Sequence, residues 1–404
     1  MTECSTQGSF GFTFFSPSDP TRQQVVLGAG VSARAGEFGG KLGSRALVVT
    51  DAGVLSAGHP QKVLASLEAA GIKTFLFDGT IENPTDSSVQ ACARAVESLG
   101  VDMVVGVGGG SSLDTAKGAN FILTNGGSMK DYWGIDKAKN DLLPMLAIPT
   151  TAGTGSECQS FALISDDQTH QKMACGHFSA LPCVTLLDSE LTRSQPFSVC
   201  AATGMDALAH ALESAVCTKR NKLSDRHAEK GFSLLVQNLE VVWSEPDNLA
   251  AREYTLLGAA HAGAAIERSM LGAAHAMANP LTAQKGVVHG QAVGLTLPAV
   301  MSYNSRDSNV QKIYAGLART SGVAGSSDSD SRAFDLLLQK VLHLRNVSQL
   351  PVSLHDVGCE PSEWGEFARD GAGQWTATFN PRPVNEAELL KIYQSIDSFA
   401  DTSV

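Results

Sequence analysis

No unbroken apolar run in the sequence reaches the roughly 18 residues that a membrane-spanning helix needs. The most neutral segment, Val287 to Asn304, is interrupted by His289, Gln291, Pro298 and Ser302, so a membrane partner is not expected. Basic blocks are missing as well: 30 Lys and Arg stand against 41 Asp and Glu, a formal net charge of −11 at pH 7. That balance argues against nucleic acid or an anionic membrane surface as the main partner. The eight cysteines are scattered with no C-x-x-C pair, and they read as reduced, mostly buried thiols of a cytoplasmic protein. The N-terminal MTECSTQGSFGF has neither a basic n-region nor an apolar h-region, so it is not expected to be a secretory signal. Charged residues are sparse, at 18% against 43% hydrophobic, which excludes a disordered chain. What remains, over 404 residues, is a mildly acidic globular protein with material for two or three domains.

Short β-branched runs alternate with helical stretches through the first half. Val25–Leu27, Ala46–Thr50, Thr74–Phe77, Met103–Val107, Met145–Ile148 and Val184–Leu187 read as strands. Between them Gln61–Ala70, Ser87–Leu99 and Leu113–Leu123 carry apolar residues at helical spacing. Such alternation predicts βαβ units and a mainly parallel sheet. Beyond Pro196 the texture changes to long Ala/Leu/Glu-rich stretches, among them Ala201–Val216, Ala228–Trp243 and Leu249–Ala265. The expected organisation is an α/β Rossmann-like domain over 1–195, with an extended arm at 1–20, and an all-helical domain over 196–404.

Two glycine loops compete for a phosphate. Gly28-Ala-Gly30-Val-Ser-Ala33 fits G-x-G-x-x-A after a strand, with Asp51 suitably downstream; the alternative is a tight turn at a strand end. Gly106-Val-Gly108-Gly109-Gly110-Ser111 fails the pattern at Ser111. Its physics is better, because an apolar strand runs into three consecutive glycines and a helix opens behind them, so backbone N–H groups can approach a pyrophosphate. Lys117 has no assigned role there and reads as a solvent-facing lysine. A third segment, Ile148-Pro-Thr-Thr-Ala-Gly-Thr-Gly-Ser-Glu157, puts four hydroxyls and two glycines after another strand. Asp51 could accept hydrogen bonds from an adenosine ribose, and a carboxylate there would repel a 2′-phosphate, which favours NAD over NADP.

Asp206 and His210 stand at i and i+4, hence on one helix face. His261, His275 and His289 follow at intervals of 14 residues. Pro280 interrupts the helical pattern, so His275 and His289 could reach one point from different directions. One carboxylate and three imidazoles suit a divalent transition metal, either iron or zinc.

Together, GGGSSLDTAK, PTTAGTGSE, GMDALAHALE and the His275…His289 spacing resemble the iron-containing (group III) alcohol dehydrogenases, a family with the dehydroquinate synthase-like fold. A later echo stands at Phe379-Asn-Pro-Arg382. The resemblance implies Asp206, His210, His275 and His289 as metal ligands, with Fe²⁺ the expected ion and Zn²⁺ the alternative. It implies nucleotide contacts at Asp51, Asn83, Gly109, Gly110, Ser111, Asp114, Thr150, Thr151, Thr154, Lys172 and Leu187, with Lys172 on the nicotinamide-side ribose. The implied activity is NAD-dependent interconversion of a small alcohol with its aldehyde or ketone. The expected partners are that substrate and further copies of the chain, as a homodimer or larger homo-oligomer.

One position departs from the family. Well-known members carry a second histidine four residues after the third ligand, at the substrate site, and this chain has Asn279 there. Asn cannot titrate, so a proton relay must use water, ribose hydroxyls or another group. His261 is the candidate substitute, against the alternative of a packed core histidine. Two other functions remain in view: a hydroxyacid–oxoacid transhydrogenase with tightly held NAD, and a nucleotide-binding protein whose chemistry has lapsed.

Overall fold

The structure, a computed structural model, describes residues 23–400 together with the strands Cys4–Thr6 and Ser9–Thr13. The chain divides into two compact units, Met1–Gln195 and Pro196–Val404. The first unit contains strands β1 (Cys4–Thr6), β2 (Ser9–Thr13), β3 (Gln24–Leu27), β4 (Arg45–Val49), β5 (Lys73–Phe77), β6 (Met103–Gly108), β7 (Gly134–Ile135), β8 (Met145–Pro149), β9 (Phe161–Ser165), β10 (Lys172–Gly176) and β11 (Val184–Leu187). Its helices are α1 (Ala35–Gly39), α2 (Ala52–Ser56), α3 (His59–Ala69), α4 (Asp86–Val96) and α5 (Gly110–Asn125).

Eight strands form one sheet in the order β1-β2-β3-β11-β8-β6-β4-β5, parallel from β3 onward. The central strands are apolar on both faces, as a parallel sheet with helices on both sides requires. Val48 and Val105 join the core under α1 and α3, with Phe38 and Leu67. Their neighbours Leu47 and Val104 join the opposite core under α4 and α5, with Cys92, Leu113 and Ala116. The expected extended arm is replaced, where it is described, by a hairpin: β1 pairs antiparallel with β2, and β2 with β3. The alternating Ser9-Phe-Gly-Phe-Thr13 has the two-residue period of a strand, and pairing gives its backbone groups partners. The rest of the arm lies outside the described residues. A second sheet, β7-β10-β9, takes one strand from before β8 and two from after it; its strands carry few β-branched residues and do not stand out in the sequence.

The second unit is helical: α6 (Phe197–Val216), α7 (Lys222–Ser244), α8 (Leu249–Glu267), α9 (Ala273–Lys285), α10 (His289–Asn304), α11 (Ser308–Thr320), α12 (Asp330–Val347), α13 (Trp364–Ala372) and α14 (Glu386–Ile396). Helix α6 is buried almost throughout from Cys200 to Val216, the signature of a central helix. No helix among the described residues is long and apolar enough to cross a membrane. The expected interruption at Pro280 is not found, since Pro280 lies inside α9. Proline removes the N–H that would bond the Ala276 carbonyl, but one lost bond does not end a helix whose flanks are buried. The chain turns instead at Gly286, φ +68°, a left-handed conformation suited to glycine.

Candidate functional site

The parallel sheet reverses its winding between β4 and β6. From β4 the chain steps outward to β5; β6 returns to the other side of β4, and β8 and β11 continue in that direction. Loops leaving the carboxyl ends of such neighbours diverge and open a crevice, the usual ligand position in this architecture. Asp51 follows β4 there, and Gly109–Ser112 follow β6. Asp51 Oδ1 accepts from the Val54 N–H and caps α2. Its Oδ2 accepts from the Ser112 hydroxyl at 3.0 Å.

Helix α5 begins at Gly110 with no side chain capping its first turn, and Gly109, Gly110 and Ser111 are half-buried. Thr154 stands so close that a Cβ on Gly110 would lie 2.7 Å from its Cγ2. The glycines therefore let the Thr151–Thr154 turn approach a helix N-terminus whose N–H groups favour an anion. Lys117 is not solvent-facing: it is fully buried. Its ammonium donates to Ser156 O, Ser156 Oγ, Gln159 O and Phe161 O at 2.6–3.0 Å. The Ser156 hydroxyl in turn donates to Asp114 at 2.7 Å, and burial pushes the Asp114 carboxyl up. A buried ammonium needs such a set of acceptors, and here they tie the turn after β8 to α5.

The competing loop is differently built. Asp188 is fully buried and accepts from Gly30 N–H at 2.9 Å, Ser32 N–H at 3.0 Å and Ser32 Oγ–H at 2.6 Å. The donors that would face a phosphate already bond an internal carboxylate. Of the other expected nucleotide contacts, Asn83 is exposed with φ +50°, Thr150 and Leu187 are buried at the ends of β8 and β11, and Lys172 opens β10.

In the second unit, Asp206 and His210 project from one face of α6, His275 from the first turn of α9, and His289 from the first residue of α10. Three imidazole nitrogens converge on one carboxylate oxygen: His275 Nε2 at 3.3 Å, His210 Nε2 at 3.4 Å and His289 Nε2 at 3.9 Å from Asp206 Oδ1. Ligand atoms of Asp206, His210 and His275 lie within 4.8 Å of one another. His289 closes the group from its edge with 25% of its side chain exposed. Gly290 makes that approach possible, because a Cβ there would meet Ala202 O at 2.2 Å.

Burial alone would raise the Asp206 carboxyl, but the imidazoles of His210, His275 and His289 hold it well below the usual carboxylate range. For His275, burial opposes protonation, yet hydrogen bonds to Asp206 and Glu213 outweigh it and push the imidazole up to about 9. A buried carboxylate ringed by imidazoles is a donor set for a borderline divalent cation such as iron or zinc. His261 is elsewhere: buried on α8, its Nδ1 lies 3.0 Å from Nδ1 of His227 on α7. Asn279, one turn after His275, donates to Gln374 Oε1 at 3.0 Å.

Sequence reasoning passed over Glu213, Asp188, His227 and Gln374. For Glu213 the signal was present: it stands three residues after His210 and seven after Asp206, on the same helical face. The others meet their partners only through tertiary structure.

Comparison with known proteins places this geometry in a family. The sequence profile described as "Iron-containing alcohol dehydrogenase" matches residues 22–189. The profile "Fe-containing alcohol dehydrogenase family, C-terminal" matches residues 200–396. A 1,3-propanediol dehydrogenase of Citrobacter freundii is 33% identical over 354 residues, covering 87% of this chain and 91% of that protein. Alcohol dehydrogenase 4 of Schizosaccharomyces pombe is 33% identical over 349 residues, covering 86% and 81%. Among solved structures, a 1,3-propanediol oxidoreductase superposes with a TM-score of 0.88 at 32% identity, over 91% of this chain and 96% of that one. An alcohol dehydrogenase from Oenococcus oeni gives 0.87 at 32%, over 92% and 97%.

Proposed function

Because the chain belongs to the iron-containing alcohol dehydrogenase family, we propose that it is an NAD-dependent oxidoreductase. It interconverts a small alcohol with its aldehyde or ketone at a divalent metal, iron before zinc. The observation that carries this reading is the convergence of three imidazole Nε2 atoms, 3.3–3.9 Å from one buried Asp206 oxygen. Asp206, His210, His275 and His289 would hold the cation. When bound, the metal supplies positive charge that acidifies an alcohol oxygen or polarises a carbonyl, and the nicotinamide supplies the hydride acceptor or donor.

The chain's own residues bind and orient. Gly109, Gly110 and Ser111 offer N–H groups at the open end of α5 to a diphosphate, and Thr151 and Thr154 border the same turn. Asp51 accepts from ribose hydroxyls and disfavours a 2′-phosphate by charge. Glycines at 109 and 110 leave room for the backbone to come close, which any side chain would close off. Asn279 offers an amide on the helix that bears His275; it can orient a polar group but cannot take a proton from it.

The test is metal content and turnover on purified variants. We expect His275→Ala and His289→Ala to lose NAD-linked alcohol oxidation, with bound metal falling well below one per chain. Stoichiometric metal in both variants would overturn the ligand assignment.

A further inference from the structure

We propose that Glu213 is a positioning residue of the metal centre: it fixes the ring of His275 and the first turn of the helix that carries it. This inference rests on the ligand assignment above and extends it to residues outside the ligand set.

The first N–H groups of a helix have no intrahelical partner, and Gly272, the residue before α9, offers no side chain to cap it. Two other parts of the chain supply the acceptors. Glu213, buried on α6, accepts from the Ala274 N–H through Oε1 at 2.7 Å. Asn380 accepts from the Ala273 N–H through Oδ1 at 3.2 Å. Asn380 belongs to the Phe379-Asn-Pro-Arg382 segment, which is itself anchored. The Asn380 amide donates to Asn304 Oδ1 at 2.8 Å and to Arg382 O at 2.7 Å, and the Thr218 N–H donates to Phe379 O at 2.9 Å. Gly272 admits Glu213, since a Cβ there would lie 3.0 Å from its Oε1.

The second oxygen of Glu213 does different work. His275 Nδ1–H donates to Glu213 Oε2 at 2.6 Å. A carboxylate accepts only, so this bond keeps a proton on Nδ1; Nε2, which donates to Asp206 Oδ1 at 3.3 Å, is then the nitrogen whose lone pair would serve a cation in place of that proton. One carboxylate thus selects the tautomer, sets the ring plane and holds the backbone from which the ring hangs. Its charge also makes the imidazole a better donor to a cation.

Apoprotein of the full chain is prepared by chelation and titrated with Co²⁺ against a chromophoric chelator, with the visible Co²⁺ spectrum and the melting temperature recorded alongside. Glu213→Gln keeps volume and an acceptor but removes the charge; Glu213→Ala removes both. The expected result is Co²⁺ affinity weakened about 10–100-fold in Glu213→Ala, and weakened less in Glu213→Gln. In the latter the cobalt spectrum shifts while melting of the apoprotein stays near wild type. Wild-type affinity and spectrum in Glu213→Gln overturn the proposal, whatever the stability of Glu213→Ala. His210→Ala is the control: if it binds Co²⁺ as the wild type does, the ligand assignment falls, a result distinct from a failure confined to Glu213.

Discussion

Replacing His261 with leucine tests whether this histidine is a core residue or a part of the chemistry. His261 is buried against His227, with Nδ1 atoms 3.0 Å apart. Burial, the neighbouring His227 and Lys230 drive its pKa from 6.5 down to about 3. In the unfolded chain the imidazole returns to about 6.5, so below that pH the unfolded state takes up a proton that the folded state refuses. The stabilisation from the depressed pKa is therefore complete above about pH 6.5 and is lost as pH falls toward 3. Each pH unit in that window costs at most about 1.4 kcal/mol. Between pH 7 and pH 5 linkage gives a loss of about 2 kcal/mol from this residue alone. His261→Leu should cost roughly 1–3 kcal/mol at pH 8, through altered packing and the lost His227 contact. The gap to wild type should then shrink by about 2 kcal/mol on going to pH 5. Urea denaturation followed by circular dichroism at pH 8, 7, 6 and 5 measures it, and the variant should keep its full metal content. A gap that stays constant with pH, or loss of metal from His261→Leu, would refute the reasoning.

The cofactor and the proton path give two more tests. Asp51→Asn keeps the cap on α2 and the contact with Ser112 while removing the charge; it should narrow the preference of kcat/KM for NAD over NADP by roughly 1–3 kcal/mol. Equal kcat/KM for the two cofactors in the wild type would remove the basis for it. Asn279→His should add a titrating group to the pH–rate profile measured where chemistry limits turnover; an unchanged profile would put this side chain outside the relay.

Much of the fold was legible because its signals are local. The parallel strands announce themselves as short β-branched runs, and their glycine-rich exits come immediately after. The pair Asp206 and His210 was legible because helical periodicity alone puts i and i+4 on one face. Pro280 misled for the complementary reason: a residue's local preference was read as decisive where a buried helix tolerates one missing hydrogen bond. Lys117 misled likewise, since its four carbonyl and hydroxyl acceptors begin 39 residues downstream and nothing beside it in the chain announces them.

The two glycine loops show where such reading stops. Gly28–Ala33 carries the better motif and Gly106–Ser111 the worse one, yet a motif states only what conformations the backbone can adopt. What the loop's N–H groups bond is decided by whatever the fold brings opposite them. At Gly30 that is Asp188, 158 residues later, whose carboxylate stands where a phosphate oxygen would. At Gly110 it is the Thr151–Thr154 turn, hydroxyls and methyl groups with no charge, which leaves the helix N-terminus available to an anion. The same logic separates His275 from His261. Both are buried histidines on alanine-rich helices, but one faces Asp206 and Glu213, which favour a charge in their midst, and the other faces a second imidazole, which does not.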